Sequence, residues 1–151
     1  MSQSRKAANR RIQHLLILNS SRVRRDLIQE YRDKVLPEKT RTIRLLGKKN
    51  PARIIHTLLG FEVQALYKRI HCPDFVTARY IRLFSELGCH SIKLPYDPTV
   101  TDRLIPGFEA SVENLNEKIR ELYPRDLQTR QYVIRTLYGI IRQQLASSRD
   151  P

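Results

Sequence analysis

Residues 50–89 read NPARIIHTLLGFEVQALYKRIHCPDFVTARYIRLFSELGC and decide the fold prediction. In the first half of this stretch apolar residues recur every three or four positions, which is the spacing of one face of a helix. They are Ile55, Leu59, Val63, Leu66 and Ile70. Asn50 suits an N-cap and Pro51 suits the first helical position. The pattern predicts a helix that ends at His71-Cys72-Pro73, because a residue before proline is disfavoured in the α region.

A second helix is predicted between Asp74, a good N-cap, and Gly88, which suits the C′ position. Its apolar face consists of Val76, Tyr80, Leu83, Phe84 and Leu87. Together the two patterns predict a helical hairpin over residues 50–88. A helix-turn-helix that reads DNA from the second helix is the alternative, since spacing alone does not fix the crossing angle that such a motif needs.

The flanking sequence adds further amphipathic helices. Four-residue steps from Val23 to Val35 predict one helix, capped by Ser21; a stripe from Phe108 to Leu122 predicts another, and Asp126 caps the last. Ile92 and Leu94 alternate with polar residues, but no partner strand is evident, so an extended connection is predicted there. The predicted fold is therefore all-α: a compact bundle of about five helices in one domain, residues 21–147, behind a basic arm, residues 1–20.

The charge of the chain is distributed unevenly. Residues 1–60 contain 15 Lys and Arg against 4 Asp and Glu, whereas residues 61–151 contain 13 against 11. Such asymmetry indicates a surface for a polyanion, and nucleic acid is the first candidate because every neutralised phosphate releases counterions. No run approaches the roughly 18 apolar residues of a membrane span, so no membrane partner is expected.

The N-terminal 25 residues contain seven basic residues and no acid. Three interpretations stay open: a nucleic-acid-binding arm, a solvated basic helix, and an organelle-targeting presequence, since presequences are rich in Arg and poor in acid. Residues 1–20 are therefore either a binding arm or a targeting segment.

Residues 39–53 form the most informative segment, because no acid occurs between Glu38 and Glu62. Lys48 and Lys49 come directly before the predicted helix at Asn50, where cations oppose the helix dipole unless an anion docks there. We therefore expect phosphate contacts from Arg41, Arg44, Lys48, Lys49 and Arg53, assisted by Arg10, Arg11, Arg22, Arg24 and Arg25. A solvated basic turn is the competing interpretation. Tyr67 and Tyr80 adjoin basic residues and could stack on bases, but their apolar spacing favours core packing.

Catalysis and metal binding find little support in the sequence. The pairs His71-Cys72 and Cys89-His90 contain four soft ligands, but the intervening helix would separate them by about 21 Å, too far for one zinc ion or for a disulfide. Ser85 and the cysteines lack an orienting acid, Asp97 and Asp102 are more simply turn and cap residues, and the five glycines form no phosphate-binding loop. We expect no enzyme activity, no metal and no cofactor.

Leu66-Tyr67-Lys68-Arg69, with Phe84 downstream, resembles the Leu-Tyr-Arg signature of small basic mitochondrial LYR proteins. Those proteins assist the assembly of respiratory complexes and iron–sulfur clusters, and their signature lies in the first helix with Arg at the place of Lys68. The resemblance implies an alternative function, a protein–protein adaptor or assembly factor that presents a basic face to an acidic partner.

The sequence thus predicts a non-catalytic protein that binds the phosphate backbone of RNA or DNA, with RNA favoured. It would act as a component or assembly factor of a ribonucleoprotein complex and could contact other protein subunits. The expected location is intracellular, with the mitochondrial matrix and the nucleus left open. The helix-turn-helix DNA binder and the adaptor remain the two alternatives.

Overall fold

The computed structural model describes Arg10 and residues 23–148, apart from the side chain of Arg24, and its architecture is mixed α/β. The predicted all-α bundle is therefore wrong. The elements in chain order are α1, made of two π-helical stretches (Arg24–Gln29 and Tyr31–Val35), β1 (Thr40–Arg44), β2 (Arg53–Thr57), β3 (Gly60–Ala65), β4 (Lys68–Cys72), α2 (Phe75–Leu87), β5 (Ser91–Pro95), α3 (Pro98–Leu122) and α4 (Leu127–Ser147). Apart from Arg10, the proposed arm lies outside the described residues.

Strands β2, β3 and β4 form an antiparallel meander in place of the first predicted helix. Pairing aligns Ile54 with Val63 and Val63 with Ile70, so this apolar row faces the core on one side of the sheet. Leu59 and Leu66, which the helical spacing placed on the buried stripe, lie exposed in the two turns of the meander. The central helical hairpin over residues 50–88 is thus replaced by three strands followed by one helix.

The remaining two strands, β1 and β5, pair with each other in a separate antiparallel sheet. Ile43 pairs with Ile92, and both belong to the core. The free edge of β5 is held by two tyrosines: the backbone N–H of Lys93 donates to the hydroxyl of Tyr31 (3.0 Å), and the hydroxyl of Tyr80 donates to the carbonyl of Lys93 (2.7 Å). The stretch predicted as an extended connection is therefore a strand whose partner lies about fifty residues earlier.

The predicted bounds and caps of helix α2 are confirmed. The Asp74 side chain accepts a hydrogen bond from the Thr77 backbone N–H (2.7 Å), and Gly88 ends the helix with a left-handed φ of 87°. Tyr80 and Phe84 on its apolar face are fully buried, with ring centroids 4.9 Å apart, and Phe84 also meets Tyr31 and Phe108. Because the meander packs on one side of α2 and α3 on the other, α2 is the centre of the fold.

Candidate nucleic-acid interface

The direction of the strands assigns the basic residues of segment 39–53 to two ends of the molecule. Arg44 is the last residue of β1 and pairs with Ser91, which begins β5 just after the C-terminal end of α2. Arg41, near the start of β1, lies at the end where α2 begins. These two cations are only three positions apart in the sequence, yet they lie toward opposite ends of β1.

The loop between β1 and β2 stays beside the C-terminal end of α2. It is fixed on both sides, since the Leu45 backbone N–H donates to the carbonyl of His90 (2.8 Å) and the Ala52 N–H donates to the Glu86 carboxylate (3.4 Å). Lys48 and Lys49 lie between these two anchors, and both are exposed. Asn50 and Pro51 then lead into a strand, so the helix N-terminus expected after the two lysines is absent, and with it the argument from the helix dipole.

Two glycines allow this loop to approach α2 so closely. Gly47 has a φ of +85°, and a Cβ at that position would lie 2.3 Å from Nδ1 of His90. Gly88 has a φ of +87°, and a Cβ there would lie 2.6 Å from the backbone nitrogen of Lys49. Both conformations are ones that glycine adopts without steric cost. The backbone of the lysine pair is therefore positioned by direct contact with the end of α2.

The meander contributes more cations at the same end. Its register aligns Arg53 with Gln64 and Gln64 with Arg69 on the face directed away from α2, so the two arginines stand two strand spacings apart, or about 10 Å. Lys68 follows the turn from β3 to β4 at the same end but pairs with Ala65, so it belongs to the face that carries Val63 and Ile70. We call the set Arg44, Lys48, Lys49, Arg53, Lys68 and Arg69 the basic end. Four of the five cations predicted from segment 39–53 belong to it.

Few carboxylates lie near the arginines that the meander contributes to the basic end. The Arg53 guanidinium donates twice to the amide oxygen of Gln64 (3.1 and 3.3 Å), a neutral partner that leaves its charge uncompensated. Arg69 lies 3.9 Å from Glu62, but with 70 % of the Arg69 side chain and 25 % of the Glu62 side chain exposed, such a pair contributes little. Glu62 is the single acidic residue between Thr40 and Cys72.

An exposed aromatic ring accompanies these cations. Tyr67 lies in the turn between β3 and β4 with 79 % of its surface exposed, directly before Lys68. Core packing was the favoured interpretation for Tyr67 and is wrong, because the ring is in a turn; for Tyr80 it is confirmed, because that ring is fully buried. Tyr67 is therefore available to stack on an unpaired base.

The other predicted contacts lie elsewhere. At the opposite end Arg41 and Lys39 lie 6.0 and 5.6 Å from the ring centre of Tyr96, an exposed aromatic that the sequence analysis missed. Arg25 is paired with Asp26 at 3.1 Å. Arg10 is exposed, whereas Arg11, Arg22 and the side chain of Arg24 lie outside the described residues.

A cleft of about 330 Å³ opens beside Lys49. It is lined by residues from the loop, α2, α3 and α4: Lys49, Asn50, Pro51, Glu86, Asn116, Arg120, Arg130, Ile134 and Tyr138. Burial raises the pKa of Glu86, while its hydrogen bond from Ala52 and the nearby Arg82 and Lys49 oppose that rise. The sequence gives no signal for this cleft, because its residues span about ninety positions and meet only in the folded chain.

Most groups considered for catalysis are buried or serve as caps, but Asp102, predicted as a turn or cap residue, is an exposed residue within α3. Burial raises the pKa of the Cys72 thiol to about 11, Asp74 adds to the rise and Arg41 opposes it, so this cysteine stays protonated at neutral pH. Cys89 and Ser85 are also buried. Asp97 caps α3 by accepting from the Thr99 N–H (2.9 Å), and this bond lowers its pKa.

Comparison with protein-family models, with curated proteins and with solved structures found no match. The four residues that resemble the LYR signature occupy the turn and first residues of β4, whereas that signature belongs to a helix. Within residues 23–148, no helix is long and apolar enough to cross a membrane.

Proposed function

We propose that the protein binds nucleic acid, RNA in preference to DNA, through the basic end, and that it does so without catalysis as a component or assembly factor of a ribonucleoprotein. The observation that supports this proposal most directly is that six cations lie at the same end of the two sheets: Arg44, Lys48, Lys49, Arg53, Lys68 and Arg69. Cations grouped in this way supply affinity for phosphates independently of base sequence.

A single strand suits this surface better than a duplex. Tyr67 projects from a turn among the cations, where an unpaired base could stack on its ring. A helix that enters a DNA groove must be free on one face. Helix α2 lies between the meander and α3, and its Arg79 and Arg82 are both paired with Glu109. The proposal therefore places the contacts at the basic end rather than on α2.

The test is a charge reversal, Lys48→Glu with Lys49→Glu, measured by fluorescence anisotropy with a labelled 12-nucleotide RNA at several salt concentrations. Each lost phosphate contact should reduce the log–log salt slope by about 0.7, so the double variant should lose about 1.4 in slope and bind about 25-fold more weakly at 0.1 M salt. All sequences should lose affinity alike.

A matched control carries the same charge change at the other end of the fold. Lys34 and Arg103 are exposed and line a cleft with Asp26, Glu30 and Glu38. Lys34→Glu with Arg103→Glu should keep most of the wild-type affinity. Equal losses in the two double variants would show that net charge matters and the basic end does not, and unchanged binding by the lysine variant would remove this site.

The adaptor alternative has an observation of its own. Leu58 and Leu59 form the turn between β2 and β3, and both are exposed at the end of the sheet opposite Tyr67. A protein partner that covered these two leucines would remove their apolar surface from water. Purification from cell extract with and without nuclease separates the two functions: a partner held by RNA is released by nuclease, whereas a partner held by the protein itself stays bound.

A further inference from the structure

The cleft beside Lys49 combines three kinds of chemistry within one small volume. Lys49 and Arg120 are exposed cations at its rim. Ile134 and Pro51 supply apolar surface, whereas the Tyr138 ring is buried, with 5 % of the residue's surface exposed. Glu86 contributes a carboxylate that solvent still reaches, although its surroundings are close enough to raise its pKa through burial. Cations, apolar side chains and an acceptor together match the phosphate, ring and edge of a nucleotide.

Hydrogen bonds within the cleft determine which groups are left for a ligand. Arg130 donates to the carbonyls of Tyr123 (2.9 Å) and Pro124 (2.9 Å), so it serves the end of α3. The hydroxyl of Tyr138 donates to the side-chain oxygen of Asn116 (2.8 Å), which leaves the Asn116 amide group as a donor. Glu86 accepts from the Ala52 N–H at 3.4 Å, a long contact that leaves acceptor capacity on its two oxygens.

The position of Glu86 is informative because a carboxylate among phosphate-binding cations lowers affinity for every polyanion. Its presence is useful when the bound strand brings hydrogen-bond donors to it. A carboxylate accepts best from two adjacent N–H groups that point in the same direction. Among the RNA bases guanine offers such a pair at its Watson–Crick edge, N1–H and N2–H, whereas adenine and cytosine place an acceptor beside their amino group and uracil flanks one N–H with two carbonyls.

Building on the proposed function, we infer that this cleft receives one nucleotide of a bound single strand and selects guanine. In this arrangement Glu86 accepts from N1–H and N2–H of guanine, Lys49 and Arg120 meet the phosphate, and the guanine ring lies against Pro51 and Ile134. The cleft volume of about 330 Å³ is at the lower limit for small-ligand sites and suits a single nucleoside better than a larger ligand. The basic end would then supply affinity, and the cleft would supply base preference.

The test compares two labelled RNAs that differ in one base: twelve uridines, and the same strand with a guanosine at position six. Wild-type protein should bind the guanosine strand about tenfold more tightly, the size expected of one good bidentate base contact. Strands with adenosine or cytidine at that position should bind like the all-uridine strand.

Glu86→Gln tests the carboxylate while keeping its size and its capacity to accept from Ala52. This variant should bind both RNAs with similar affinity, and its affinity for the all-uridine strand should equal or exceed that of wild type because a negative charge has been removed. Arg120→Gln should instead weaken both RNAs by the same factor and leave the guanosine preference intact.

The outcomes separate the two proposals. If neither RNA binds with a salt-dependent affinity, the proposed function fails and the guanine site fails with it. If both RNAs bind with a steep salt dependence but equally well, or if Glu86→Gln keeps the guanosine preference, the cleft is not a guanine site and the basic end remains.

Discussion

Gly88→Ala changes the contact between the C-terminal end of α2 and the loop between β1 and β2, which carries Lys48 and Lys49. The structure allows its effect on stability to be worked out. A left-handed φ costs a non-glycine residue about 1–2 kcal/mol. The added methyl group would also lie 2.6 Å from the Lys49 nitrogen and 2.8 Å from the Arg142 guanidinium. That guanidinium donates to the carbonyl of Leu87 (2.7 Å), and a hydrogen bond from a charged donor contributes about 1.5–3 kcal/mol.

If the methyl group displaces Arg142, both losses apply, and we expect Gly88→Ala to reduce the free energy of unfolding by about 2.5–5 kcal/mol. Urea denaturation followed by circular dichroism measures this directly, and the slope of the transition shows whether the unfolded states remain comparable. Because Lys49 is part of the contact, the variant should also bind RNA more weakly under conditions in which it is folded.

Gly107→Ala is the matched control. Gly107 is an exposed residue within α3, and a Cβ there would meet nothing within 4 Å. The same substitution should therefore stabilise the protein by about 0.5–1 kcal/mol, since alanine is the better helix former. A Gly88→Ala variant within about 1 kcal/mol of wild type would refute the reasoning, because the left-handed strain alone should exceed that difference.

Two further predictions concern the core and the turns. Burial raises the pKa of the Cys72 thiol from an ordinary 9.0 to about 11, so the protonated thiol favours the folded state. This contribution to stability is constant below about pH 9 and is lost as pH rises toward 11. The loss is about 3 kcal/mol at most. Urea titrations at pH 8 and pH 10.5 should therefore show a smaller alkaline loss in Cys72→Ala than in wild type, and equal losses would contradict the assignment. Replacing exposed Leu58 and Leu59 with serine should change the free energy of unfolding by less than about 0.5 kcal/mol, whereas Leu87→Ala, at a fully buried position, should cost about 2–5 kcal/mol in the same titration.

Local chemistry made α2 and α4 predictable from sequence. Asp74 and Gly88 delimit α2, and Asp126 caps α4 by accepting from the Thr129 N–H (3.0 Å), as the side chains at those positions indicate. Capping depends on residues within one turn of the helix end, so no tertiary information is needed. The apolar stripe from Val23 to Val35 likewise lies buried on α1.

The meander was missed because its turns imitate a helical period. Strand residues alternate between two faces of a sheet. Each two-residue turn, however, carries a leucine at the position where the apolar stripe of a helix would also have an apolar residue. Leu59 and Leu66 thereby complete a stripe with Ile55, Val63 and Ile70 that no single face of the protein contains. The β-branched residues Ile54, Ile55 and Thr57 are typical of a strand, and they lie in β2.

The pairing of β1 with β5 could not be read from sequence for a different reason. Each strand has five residues, and the partners are separated by about fifty positions that include the entire meander and α2. Strand β1 is not distinctive alone, since Thr40–Arg44 contains one apolar residue, and the alternation of Ile92 and Leu94 in β5 does not identify a partner. The register is set by burial of Ile43 against Ile92 and by the tyrosines that hold β5, all of which are tertiary contacts.

The same limit applies to the basic surface. Lack of acid in segment 39–53 is a property of the chain, but the position of each cation depends on the direction of the strand that carries it. Strand β1 separates Arg41 from Arg44, while β2 and β4, which run in the same direction, bring Arg53 and Arg69 to one row although sixteen positions separate them. An interface of this kind exists only when both sheets are formed around α2. If the proposed function holds, contacts that keep the loop against Gly88, and not the lysines alone, should therefore determine whether the cations act together on one strand of nucleic acid.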